Sequence, residues 1–158
     1  MENTYVWNSK VKYIRSGEEK FDNLKECLEN NKYMYIGRRG IVFIKTETGK
    51  ERFPKTDSVW ANPYKVGKDG TLDEVLEKYE QYIKNKIINE NLDLLELQNK
   101  ILMCWCVESK VCYNKLDRCV CHGQVLLKLL NMKLKENSKE KEKDRDSELE
   151  SGIERIKL

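Results

Sequence analysis

A chain of 158 residues carrying 30 Lys+Arg against 27 Asp+Glu has a net charge of only +3, although 36% of its residues are charged. That length suits one domain with a real core. The balance permits an anionic partner without demanding one, and falls short of the basicity usual in nucleic-acid binders.

Taken in chain order, YVWNSKVKYI alternates large and polar residues and predicts a strand over 5–14. FDNLKECLENN places Phe21, Leu24, Cys27 and Leu28 at helical spacing, with Asp22 or Asn23 as the cap. Cys27 stands apart from the other cysteines and reads as a small buried hydrophobe. YMYIG (33–37) is a short apolar run ending at Gly, fit for a central strand. A hairpin follows, out along Ile41–Lys45, turning at Thr48-Gly49-Lys50 and returning along Glu51–Phe53.

Residues 54–70 form a long connection holding both prolines together with Trp60 and Tyr64. Long loops that carry large aromatics are ordered by packing and are often functional. T-L-D-E is a capping box from Thr71 to Glu74. It opens a helix whose apolar stripe is Leu72, Val75, Leu76, Tyr79, Tyr82, Ile83 and Ile87. A shorter helix is expected over 91–98, a buried strand over 100–106, a loop, and a last helix from His122 with Val125, Leu126, Leu129 and Leu130 inward.

The expected fold class is therefore α/β: a compact single domain over 1–135, with a mixed β-sheet flanked by helices. Residues 136–158 form a charged C-terminal tail, with 11 charges in the 15 residues from Glu136 to Glu150. Such a segment stays solvated or continues a helix as a frayed extension. The body holds 24 basic against 19 acidic residues, a net of +5, and the tail a net of −2. No apolar leader follows Met1 and no run nears 18 apolar residues, so no membrane partner is expected. An intracellular, reducing compartment is the default.

Five of the six cysteines and the only histidine fall within residues 104–122. Under reducing conditions such clusters bind metal or do chemistry more often than they form disulfides. Three readings stand. In the first, the spacing C-x-C-x5-C-x6-C-x-C-H holds zinc, with Cys106, Cys112, Cys119 and Cys121 as the four that bracket the loop. In the second, Cys121 and His122 are catalytic or ligand-binding groups at a helix N-terminus, where a thiol's pKa falls and anions are favoured. Adjacent residues seldom face each other, so His122 would act on a ligand held by the helix N–H groups rather than on Cys121. In the third, these are ordinary core thiols and a hydrogen-bonded histidine, the favoured reading for Cys104 alone.

YIGR (35–38), SVWANPYKVGKDGT (58–71), VLEKYEQYI (75–83), LLEL (94–97), CWC (104–106) and CHGQVLLKLL (121–130) together resemble the domain of unknown function 4326 family. The resemblance runs from about Tyr33 to Asn131, and the front segment YVWNSKVKYIR resembles the branch seen in large viruses. It implies a compact α/β domain and a shared site at Gly37, Arg38, Ser58, Trp60, Asn62, Pro63, Cys106, Cys121, His122 and Gly123. It implies no reaction. The gap between CWC and CHG is longer here than is usual in the family, and Gln124 stands where the family commonly has Asp.

Arg38 after a strand offers a bidentate fork for phosphate or carboxylate, against a plain surface salt bridge. Asn62 caps its own loop or reads a base edge, the former being favoured. Trp60 and Tyr64 are core plugs rather than stacking platforms by the same weighing. Two functions remain open. One is a domain that binds a nucleotide-like or nucleic-acid phosphate ligand through Gly37, Arg38, Ser58, Trp60, Asn62 and Gly123, with hydrolase or transferase chemistry at His122 and Cys121. The other is a zinc-stabilised interaction module without catalysis. Oligomeric state is not legible.

Overall fold

The structure is a computed structural model that describes residues 4–16, 19–105, 111–112 and 120–157; at Val11, 111–112 and 141–157 it describes the backbone alone. Its main sheet contains β1 (Tyr5–Asn8), β2 (Tyr33–Tyr35), β5 (Ile101–Cys104) and β6 (Val111–Cys112), in the order β2-β5-β1-β6. β2, β5 and β1 are parallel, and β6 pairs antiparallel with β1. A separate hairpin, β3 (Val42–Thr46) with β4 (Gly49–Phe53), packs beside it.

β5 is the axis of the molecule. It lies between two parallel neighbours and all four of its residues are buried. Side chains alternate across a strand, so Ile101 and Met103 enter one core while Leu102 and Cys104 enter the other. On the first side lie Tyr5, Tyr33 and Tyr35, covered by Ile14 of α1 (Val11–Ile14) and by Leu24 and Cys27 of α2 (Leu24–Glu29). On the second side, Val6 and Ile36 meet α3 (Leu72–Asn89) and α4 (His122–Lys157). The result is an α/β domain with a mixed sheet between helical layers.

Local chemistry explains where elements begin and end. The strand expected over 5–14 stops at Asn8, whose side chain accepts from Lys10 N and turns the chain into α1. Asn23 caps α2, accepting from Glu26 N. The capping box Thr71/Glu74 forms in full at the head of α3, and Val75, Leu76, Tyr79 and Ile83 are the buried part of its stripe. The helix expected over 91–98 is a 3-10 turn, Leu94–Leu97: Asn91 takes a left-handed φ of 54° and Asp93 caps the turn. The hairpin turns at 47–48, one residue earlier than expected, with Gly49 at φ 134° as the first residue of β4. α4 buries Val125, Leu126, Leu127, Leu129 and Leu130, then runs on through the charged tail as helix to Lys157. Among the described residues no helix is long and apolar enough to cross a membrane.

Candidate functional site

The carboxyl ends of β2, β5 and β1 fall on one edge, the edge at which parallel sheets commonly bind ligands. Three segments meet there. The chain leaves β2 through Ile36, Gly37 and Arg38; β5 ends at Cys104 and hands on to Trp105; α4 begins at His122. The 54–70 connection folds over this edge. Ser58 N donates to Gly37 O at 3.1 Å, Ser58 Oγ accepts from Trp60 N, and the Trp60 ring is only 2% exposed. Tyr79 of α3 then fixes the connection from beneath, its hydroxyl donating to Trp60 O at 2.6 Å in a buried setting.

Two glycines make the approach possible. A Cβ on Gly37 would lie 2.6 Å from Tyr35 Oη. Without it, the Tyr35 ring tucks under the turn, where its hydroxyl donates to Arg38 O and accepts from Trp105 Nε1. A Cβ on Gly123 would lie 2.8 Å from Val6 Cγ2 and 3.0 Å from Ile36 Cδ1, so only glycine lets the first turn of α4 sit directly on the sheet.

The meeting edge lines a half-open cavity of about 750 Å³, within the range of small-molecule sites. Its apolar wall is built from Leu72, Val75 and Leu76 of α3 with Ile41, Val66 and Val120, and Trp105 and Tyr64 add aromatic surface. Among the described residues, Arg38, Arg39 and Lys65 supply three cations to the lining and no carboxylate shares it. Asn62 also faces it, with Oδ1 engaged by Tyr64 N. Cys104 and His122 form part of the same lining.

His122 is buried beside this cavity. Its Nε2 lies 2.6 Å from Ile36 O, and its ring meets Tyr79 edge-on at 5.1 Å. Burial holds its pKa down at about 4, helped by the nearby Arg38 charge and opposed by the Ile36 contact. A neutral imidazole facing a carbonyl must carry its proton on Nε2, which leaves the Nδ1 lone pair available. Cys121 Sγ is 3.9 Å from Nδ1, and Cys104 and Cys121 stand at disulfide distance. The two sulfurs and a ring nitrogen of His122 lie within 4.8 Å of one another, all buried, a set that can hold a metal ion.

The chain matches, over residues 20–132, the family described as Domain of unknown function (DUF4326). The chain belongs to this family. It is also 32% identical over 120 residues to "Uncharacterized protein R718" of Acanthamoeba polyphaga mimivirus, an alignment covering 75% of this chain and 78% of that protein. No solved structure matches.

Within this DUF4326 domain the structure separates the expected site residues. Gly37, Arg38, Asn62 and His122 line the one cavity. Ser58, Trp60, Cys121 and Gly123 are placed behind it: Ser58 and Trp60 brace the loop, and Gly123 is packed on Val6 and Ile36. Of the four cysteines read as zinc ligands, Cys106 and Cys119 lie outside the described residues, and Cys112 is described only as backbone in β6. Cys121 is beside Cys104 and His122.

Two expectations are corrected. Cys104, read as a plain core thiol, stands against Cys121. Of the N–H groups around the start of α4, expected to hold an anion, those of Val120, Cys121, Gly123 and Gln124 are engaged internally. Val120 N and Cys121 N donate to Gln124 Oε1, Gly123 N donates to Cys121 Sγ, and Gln124 N donates to Cys121 O. Gln124 thus serves as the reciprocal arm of a helix cap. Sequence reasoning passed over Arg39, Lys65 and Trp105. The Arg38-Arg39 doublet was the available signal for the first; Lys65 sits in a polar stretch of the long connection, and Trp105 alternates with Cys104 and Cys106 in the CWC run.

Proposed function

We propose that the cavity binds a phosphate-bearing, nucleotide-like ligand, with its anionic end on Arg38 and its ring against Trp105 and the α3 wall. The observation that carries this reading is the lining itself: among the described residues, three cations and no carboxylate beside a largely apolar wall. A guanidinium at the rim of a low-dielectric hollow is suited to a phosphate, which it can grip with two parallel hydrogen bonds. Apolar walls with a few polar anchors are the common composition of sites for flat organic rings. The buried His122 has Nε2 occupied by Ile36 O, so any proton transfer to or from a ligand would run through Nδ1.

Calorimetric titration with adenosine, AMP and ADP tests the reading. ADP is expected to bind more tightly than adenosine, and Arg38→Ala to weaken ADP by about 10- to 100-fold, since a charge-assisted hydrogen bond contributes roughly 1.5–3 kcal/mol. Equal affinity for adenosine and ADP, or an Arg38→Ala variant that binds ADP as well as the parent, would remove the proposal. The rival reading is a zinc-stabilised interaction module without catalysis. It has the Cys104–Cys121–His122 cluster in its favour and requires no nucleotide response.

A further inference from the structure

We infer that, with its thiols reduced, the chain holds a zinc-type divalent cation on Cys104 Sγ, Cys121 Sγ and His122 Nδ1, with a fourth coordination position open to the cavity. This site is separate from the anion grip at Arg38 and does not rest on it.

Four observations converge. The three ligand atoms already lie within 4.8 Å of one another, and thiolate, thiolate and imidazole form a donor set that zinc favours. Nε2 is committed to Ile36 O at 2.6 Å, so Nδ1 presents its lone pair, and the carbonyl contact orients the ring as outer partners of metal-bound histidines do. Gly123 N donates to Cys121 Sγ at 3.3 Å, a contact that strengthens with negative charge on sulfur. The Cα atoms of Cys104 and Cys121 are 7.6 Å apart. That is wider than the roughly 4.4–6.8 Å that bridged pairs usually show, and it leaves room for an ion between the sulfurs after modest side-chain rotation.

Three protein ligands leave tetrahedral zinc one position for water or substrate, the pattern of reactive rather than purely structural sites. Cys104 and His122 both line the cavity, so that position faces the ligand space. Loading is balanced by protons: one divalent ion displaces one proton from each thiol and none from the neutral imidazole, releasing two.

The test uses the full chain, thiol-reduced, stripped of metal and free of nucleotide, titrated with cobalt(II) as a spectroscopic probe and then with zinc. The expected result is one ion per chain with a thiolate-to-cobalt charge-transfer band that zinc abolishes. Cys104→Ser and His122→Ala are expected to lose the band or to weaken zinc by more than about tenfold, beyond what loss of an outer partner alone often does. A triple variant, Cys106→Ser/Cys112→Ser/Cys119→Ser, is expected to keep it. Circular dichroism checks the fold of each variant. The inference is overturned if the reduced parent takes up no ion, if folded Cys104→Ser keeps both the band and the parent's zinc affinity, or if the triple variant loses the band. That last result would move the ligands to the loop. Each outcome leaves the ADP titration of the parent chain independently readable.

Discussion

His122 Nε2 and the Ile36 carbonyl oxygen, 86 positions apart in sequence, stand 2.6 Å from each other in a buried setting. The contact ties the first turn of α4 to the exit of β2 and so closes one side of the cavity. His122→Ala would strand that carbonyl, empty the ring's volume and remove the edge-on contact with Tyr79. A loss of roughly 2–4 kcal/mol is expected in the metal-free protein, read from the urea midpoint at unchanged slope. A loss under about 0.5 kcal/mol would show that this tie is not structural.

Tyr79 makes a second long-range tie, to Trp60 O at 2.6 Å. Burial pushes its phenol pKa well up, so the hydroxyl remains a donor at ordinary pH. Tyr79→Phe keeps the ring and deletes only the donor. It should cost about 1–2 kcal/mol and increase hydrogen exchange in the Ser58–Asn62 stretch, with helix α3 intact by circular dichroism.

Gly123 tests the packing of α4 on the sheet. Gly123→Ala puts a methyl 2.8 Å from Val6 Cγ2, where two core residues must shift. Overpacking of this kind costs about 1–3 kcal/mol, and it outweighs the gain in helix propensity of roughly 1 kcal/mol. A variant melting above the parent would contradict the close approach.

Cys27 gives a pH signature away from the cavity. Burial, with Glu19 and Glu26 adding to it, pushes its thiol from 9.0 up to about 12. The folded chain therefore keeps a proton that the unfolded chain gives up near pH 9. The stability this contributes is complete below about pH 9 and is lost as pH rises toward about 12. In melts across that window the parent should lose stability faster than Cys27→Ala. Native Cys27 should also resist iodoacetamide until the chain unfolds. Rapid native alkylation of Cys27 would count against its burial.

Much of the fold was legible because local signals and burial agreed. The Thr71–Glu74 capping box, the α3 stripe, the Asn23 cap and the apolar run through Ile101–Cys104 each depend on spacing that the chain states directly. The strand expected over 5–14 was cut short by a hydrogen bond from Lys10 N to the Asn8 side chain, which alternation of large and polar residues cannot register. Asn91 broke the 91–98 helix by taking a left-handed φ. At the site, Arg38, Asn62 and His122 were legible as residues of chemical promise. The Cys104–Cys121 approach was not, because it depends on how a strand end and a helix start are juxtaposed across a separation of 17 residues. Nor was the engagement of the α4 N–H groups, which turns on the reach of the Gln124 side chain.

The most direct measurement is a crystal structure of the chain grown with a non-hydrolysable ADP analogue. It should show phosphate density against the Arg38 guanidinium, with the base on the wall formed by Trp105 and α3. Analogue bound elsewhere on the surface, with Arg38 turned to solvent and the cavity holding only water, would contradict the account.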